Sequence, residues 1–366
     1  MASNFIEIVD FHISQNFMSE VLVMRKFILH MFICMTLLGV ISNSINILVF
    51  VKLGLKDNVT ITLLFLSLSD LMYLLLYSPT FVLWFLAEHH PHIPLPSVFN
   101  IFLFVPSLLI ELCYDYSALV SVFMAVVRCA CVARPLKFKA MFTKSRTLFI
   151  LGVLFSLNLV FFGPSLIMFR LVWAVNPNTN STFLALEYSD NFSSVRKVLD
   201  FYKNIHAWLT YITVVACTAI LAYKLQAASR FRRSLASAAG SEKVKTVGPI
   251  STFSKTRDAS SCPSTLSERE QKQPSQTSTK ELQVIRSVTL ICVIYILSVL
   301  PTQVNTCVRL LDPKFYDHQN YVYTYTFAGY IATLFHLFNA SVNIFVHYHF
   351  NSRYREKFLH SFYLKR

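Results

Sequence analysis

The chain has 366 residues, of which 54% are hydrophobic and only 14% charged, and its mean hydropathy is positive. A soluble domain carries about 25% charged residues, so a water-soluble globular protein is excluded. The net charge is +14, yet the basic residues fall between apolar runs rather than on one polar face, which argues against a nucleic-acid binder and for a membrane protein.

The opening MASNFIEIVDFHISQ is polar and acidic. It lacks a basic start followed by an apolar core, so no cleaved signal peptide is expected and the first membrane helix serves as targeting signal. Residues 1–26 are expected outside the membrane. Seven runs then reach the roughly 20 residues needed to cross a hydrocarbon core: Phe27–Lys52, Ile61–Leu86, Phe99–Ala133, Thr147–Phe169, Phe201–Leu225, Val284–Val308 and Tyr321–His347. The fold class expected is an all-α seven-helix bundle filling residues 27–350.

Charge orients the bundle. The first inner loop carries Lys52 and Lys56, and the stretch after the third run carries Arg134, Lys137, Lys139, Lys144 and Arg146 with no acid. The tail carries Arg353, Arg355, Lys357, Lys365 and Arg366, whereas Glu88–Asn100 holds no Lys or Arg. The N-terminus is therefore expected outside and the C-terminus in the cytoplasm. The sequons at Asn180 and Asn191 fall in a loop assigned outside, where glycosylation can occur; those at Asn58 and Asn339 lie inside or within the membrane. The run Glu88-His89-His90-Pro91-His92 has the composition of a metal site, but Pro91 breaks any helical register, and such loops are ordinarily just polar.

The third run is the most informative. Glu111 and Asp115 lie four apart and so share one helix face, and Arg128 stands near the other end. Charges in an apolar helix must face protein or water. The fifth run leads into residues 229–279, rich in Ser, Thr, Lys and Gln and without hydrophobic period, which reads as a disordered cytoplasmic loop. Its Ser234, Ser254 and Thr256 are phosphorylation candidates or simply solubilising hydroxyls. Pro301 in the sixth run frees a backbone carbonyl and kinks that helix. Residues 351–366 place Tyr354, Phe358 and Phe362 four apart among Arg353, Arg355 and Lys357, the pattern of an amphipathic helix on the membrane face. The cysteines lie mostly inside apolar runs, with no pair in the outer loops, so no disulfide framework is expected.

Five motifs resemble those of rhodopsin-like G-protein-coupled receptors. Arg128 followed by Arg134-Pro135-Leu136 is similar to the end of that family's third helix, and Leu66-Ser67-Leu68-Ser69-Asp70 to its second-helix motif. Gly39-Val40-Ile41-Ser42-Asn43 resembles the first-helix signature, Asn339 to His347 the seventh-helix region, and Tyr354-Arg355-Glu356-Lys357-Phe358 the short eighth helix. Departures accompany them. Val127 and Cys129 flank the arginine in place of an acid and an aromatic. Ile344 and His347 replace a proline and a tyrosine, the sixth helix lacks its Cys-Trp pair, and the usual outer disulfide has no cysteines. Such loosened motifs resemble invertebrate orphan, peptide or chemosensory receptors.

The resemblance implies a cell-surface receptor in the plasma membrane that turns binding of an extracellular small molecule or peptide into activation of a heterotrimeric G protein. It implies that Asp70, Ser117, Asn339 and Asn343 meet at mid-membrane with Asn43 close by, a cluster that binds a sodium ion in the family. It also implies that Glu281, twenty residues before Pro301, faces Arg128 and holds the inactive state, with Pro301 as hinge and His347 in the switch region. Glu111 and Asp115 are ligand candidates, with His206, Gln303, Asn305, Tyr330 and His336 as partners; the same groups can equally pair among themselves. No cofactor beyond that sodium, no nucleic-acid partner and no catalytic constellation is expected. The alternatives are a receptor-like protein with lost or ligand-independent coupling, and a transporter, which predicts internal repeats that the sequence does not show.

Overall fold

The computed structural model describes residues 2–55, 57–90, 98–133, 142–175, 182–244, 279–311 and 322–362, with side chains from Val23 in the first helix and Leu109 in the third. The elements are α1 (Ala2–Leu53), α2 (Asn58–His89), α3 (Val98–Ala133), α4 (Lys144–Ile167), β1 (Phe169–Val175), β2 (Thr182–Tyr188), α5 (Phe192–Val244), α6 (Thr279–Leu311), α7 (Val322–Phe350) and α8 (Ser352–Phe362). Seven of the helices, α1 to α7, are long and apolar enough to cross a membrane. Helices suit such apolar sequences because they satisfy every backbone polar group internally.

Polar residues punctuate them. α1 stops at Gly54, whose φ of 81° favours glycine and whose N–H donates to Val51 O at 3.1 Å. Asp57 caps α2 by accepting from Thr60 N at 2.7 Å, and Asn351 opens α8 by accepting from Tyr354 N at 3.1 Å.

The bundle is polar inside and greasy outside. Leu37, Ile41, Leu48 and Val51 on α1, and Leu68, Met72, Leu75 and Val82 on α2, recur at helical spacing and are exposed, while Asn43, Asn46, Asp70, Ser117, Arg128, Asn343 and His347 are buried. That inversion suits lipid as solvent. The helices close a ring in which α1 meets α2 and α7, α2 meets α4, α4 meets α5, α5 meets α6, and α6 meets α7. α3 runs through the middle, touching α2, α4, α5 and α6. Tyr116 donates to Leu151 O at 3.2 Å and Asn158 to Leu112 O at 2.8 Å, fastening α3 to α4 through backbone carbonyls. α1, α2 and α7 pack tightly at Gly39: a Cβ there would lie 2.6 Å from Leu74 Cδ1 and would also strike the Ser341 hydroxyl.

Two features depart from the sequence reading, and a third, the N-terminal extension of α1, adds to it. The fourth apolar run ends at Ile167, and Phe169 begins a hairpin in which β1 pairs antiparallel with β2, Arg170 opposite Glu187 at 2.7 Å. FRLVWAV is as apolar as a membrane run, but its aromatic and β-branched residues suit a strand. α5 continues as helix to Val244 rather than giving way to disorder at Ser229, because its Ala- and Arg-containing continuation favours helix; residues 245–278 of that loop lie outside the described residues. α1 extends back to Ala2, through the segment read as an outer N-terminus. Among the described residues Cys34, Cys113, Cys129, Cys131, Cys217, Cys292 and Cys307 are free thiols, so the hairpin forms without a disulfide from any of them.

Candidate functional site

Three polar zones follow one another along α3. At the hairpin end, the Glu111 carboxylate pairs with the Lys203 ammonium of α5, which also lies 5.3 Å from the Phe162 ring centre. Asp115 sits one turn deeper, half-buried, with no hydrogen bond to any described residue; Lys203, Tyr202 and Tyr295 lie within electrostatic reach of it. His206 stacks beside Tyr202 at 5.8 Å, and its buried Nε2 has no partner.

On the other side of α3, the hydroxyls of Tyr114 and Thr302 lie 3.0 and 2.8 Å from His336 Nε2, which joins α3, α6 and α7 through one imidazole. Gln303 donates to Ala207 O at 3.3 Å and keeps a buried unpartnered Oε1. Asn305 donates to Ala328 O at 3.1 Å. Of the seven ligand candidates, Glu111, Asp115 and His206 therefore gather between α3 and α5, and His336 anchors a second polar group. Asn305 is a tie between α6 and α7. Tyr330 packs against Trp84 at 5.1 Å and Phe32 at 6.2 Å, in the corner between α1, α2 and α7. Lys203 was missed by sequence reasoning; a lone lysine near the start of an apolar run looks like an interfacial anchor.

Near the middle, Asp70 on α2 accepts from Ser117 Oγ at 2.6 Å and from Asn343 Nδ2 at 3.0 Å. Those three meet as expected. Asn339 does not join them: it is half-buried and makes no hydrogen bond to Asp70. Asn43 also turns elsewhere, donating to Gly39 O at 3.0 Å and Ala340 O at 2.6 Å, which ties α1 to α7. The Asn343 Oδ1 is buried without a partner among the described residues. An unpartnered carbonyl oxygen beside a carboxylate and a hydroxyl is the donor set a hard cation prefers, so these residues fit a sodium ion.

At the α8 end Arg128 is buried, 7% exposed, beside buried Val127. Among the described residues the acid acting on its charge is Asp57, the cap of α2. Asp57 was also missed, since a capping acid in a short loop carries no motif. The side chain of Glu281 lies outside the described ones, as does Asn180; Asn191 is exposed at the turn before α5. Pro301 is inside α6. His347 is fully buried against Phe50 at 5.1 Å and Tyr354 at 5.5 Å, and neither ring nitrogen has a partner among the described residues. Tyr354 donates to Asn46 Oδ1 at 2.6 Å, anchoring α8 to α1.

A ring of seven membrane-length helices, closed around a polar interior and ending in a short anchored helix, defines a seven-helix integral membrane protein. Its sequence matches the family model of the 7 transmembrane receptor (rhodopsin family) over residues 42–345, and the chain belongs to that family. It is a receptor of the plasma membrane, crossing it several times, and not an enzyme. No curated protein matches it.

Proposed function

We propose that the chain carries ligand binding at the hairpin end into activation of a heterotrimeric G protein at the α8 end. The hairpin end faces outside, so the exposed Asn191 and the sequon at Asn180 are available for glycosylation there. The observation that carries this reading is the layout of α3. Asp115, a carboxylate with no hydrogen bond to a described residue, and Arg128, a buried guanidinium, are separated by 13 residues, about 20 Å of helix. One element thus reaches both the Asp115 site and the surface where coupling would take place.

Asp115 and Glu111 favour a ligand with a cationic or strongly donating group, an amine or an arginine-bearing peptide, which would exchange with Lys203. His206 Nε2 and Gln303 Oε1 offer acceptors for its N–H or O–H groups. A ligand shifts the equilibrium only through its different affinity for the two states; binding between α3, α5 and α6 would favour an outward swing of α6 about Pro301 that uncovers Arg128. A sodium ion held by Asp70, Ser117 and Asn343 would neutralise the carboxylate at mid-membrane.

The test is a second-messenger assay in transfected cells against biogenic amines, amidated peptides and odorants, with Asp115→Asn and Glu111→Gln alongside wild type. Unchanged potency in both variants would reject the site. A second reading, a receptor-like chain without ligand-driven coupling, is favoured by one observation: the apolar Val127 beside Arg128 and the unpartnered His347 leave the switch region short of polar contacts. An absence of signalling with every ligand, together with normal surface delivery, would select it.

A further inference from the structure

The first and second helices meet at the hairpin end through polar groups that the function above does not use. Arg25 Nε lies 3.4 Å from Glu88 Oε2, and its guanidinium stands 5.3 Å from the Trp84 ring centre. Beside this pair, His30 of α1 and His89 of α2 are both exposed, their ring centres 5.5 Å apart and their planes at 84°.

Their hydrogen bonds are alike. His30 Nδ1 lies 2.7 Å from Lys26 O, and His89 Nδ1 lies 3.1 Å from Phe85 O. A carbonyl oxygen only accepts, so in each ring the proton of a neutral imidazole is on Nδ1 and the lone pair is left on Nε2. No described residue bonds to either Nε2. An N–H given to a backbone carbonyl is also what orients histidines that bind metals. Phe85 holds both rings, stacking on His89 at 4.2 Å and meeting His30 edge-on at 5.8 Å.

We propose that His30 and His89 form a two-histidine site for a divalent transition-metal ion that clips α1 to α2. Zinc bound about 2 Å from each Nε2 lies about 3 Å from each ring centre, so two rings at the tetrahedral angle are about 5 Å apart, close to the spacing found. Glu88 is held by Arg25, and the described residues contain no group of three or more histidines, cysteines or acids able to hold a metal. With no third ligand among the described residues, water would complete the coordination and the ion would be exchangeable. Structural zinc sites, by contrast, have four protein ligands. The clip sits at the corner where Phe32, Trp84 and Tyr330 pack α1, α2 and α7 together, so the ion would stiffen that corner from outside.

The experiment uses the full chain in lipid nanodiscs. Zinc is titrated by competition with a fluorescent chelator, and thermal unfolding is recorded with and without it. The expected result is one zinc per chain and a rise in unfolding temperature. His30→Gln and His89→Gln should each abolish both effects while leaving the zinc-free unfolding temperature unchanged, and His90→Gln should keep both. Zinc bound equally by all variants, zinc lost only in His90→Gln, or no zinc bound by wild type would each overturn the site. If a glutamine variant lowers the zinc-free unfolding temperature, the matching alanine variant is titrated as well, and zinc retained by it would likewise overturn the site.

Discussion

Asp70 shows how far single residues were legible in the sequence. Its place in Leu66 to Asp70 marked it, and Ser117 and Asn343 do reach it at 2.6 and 3.0 Å. Asn339, drawn in by the same resemblance, makes no hydrogen bond to it, and Asn43, expected only close by, serves the carbonyls of Gly39 and Ala340, because an amide can serve a backbone carbonyl equally well and spacing does not say which. Asp70→Asn should therefore remove any stabilisation by sodium while leaving a hydrogen-bonding side chain. The check is thermal unfolding of the purified chain in sodium against choline chloride, where wild type gains and the variant does not. Asp57 is a second residue-scale case. Asn caps a helix about as well as Asp, so Asp57→Asn isolates the charge near Arg128 from the cap of α2. Its expected effect is raised basal second-messenger output with surface expression unchanged. At the other end of α3, Asp115→Asn should weaken a cationic agonist at least about tenfold, since hydrogen bonds to charged groups are worth about 1.5–3 kcal/mol. A dose–response curve reads this directly.

Among the elements, the membrane helices were legible because lipid demands about 20 apolar residues and helical backbone. The hairpin was not, because Phe169 to Val175 continues the apolar run before it and hydropathy cannot tell a strand from the end of a helix. The far end of α5 was hidden for the opposite reason: polarity there suggested disorder, although Ala and Arg favour helix. His30 was invisible as a lone histidine in an apolar run until α2 brought His89 beside it. α8 was legible from its spacing of four, but its anchor was not. Burial pushes the Tyr354 phenol above the usual tyrosine range, so its hydroxyl remains a donor to Asn46 at physiological pH. Tyr354→Phe would leave Asn46 with neither amide atom partnered, at a cost of about 1–3 kcal/mol. Faster hydrogen exchange across α8, with α1 to α7 unaffected, is the expected signature. At Gly39 the packing of α1 on α2 and α7 leaves no room for a side chain, and Gly39→Val should cost about 1–3 kcal/mol by overpacking, read as a lower unfolding temperature.

For the whole molecule, a ring of helices with α3 at its centre makes one element common to both ends, and the account rests on that connection. Arg128 is buried, so the coupling role proposed for it requires the α8 end to open. Val127 removes one local restraint; among the described residues Asp57 and the packing around His347 remain. The most direct test is guanine-nucleotide exchange on purified heterotrimeric G proteins by the full chain in nanodiscs, comparing wild type, Asp57→Asn, and Asp57→Asn combined with Arg128→Ala. The connection through α3 predicts exchange above empty nanodiscs for wild type, higher exchange for Asp57→Asn, and a return to the empty level when Arg128 is removed. Exchange at the empty-nanodisc level for all three, or no loss on removing Arg128, would contradict it.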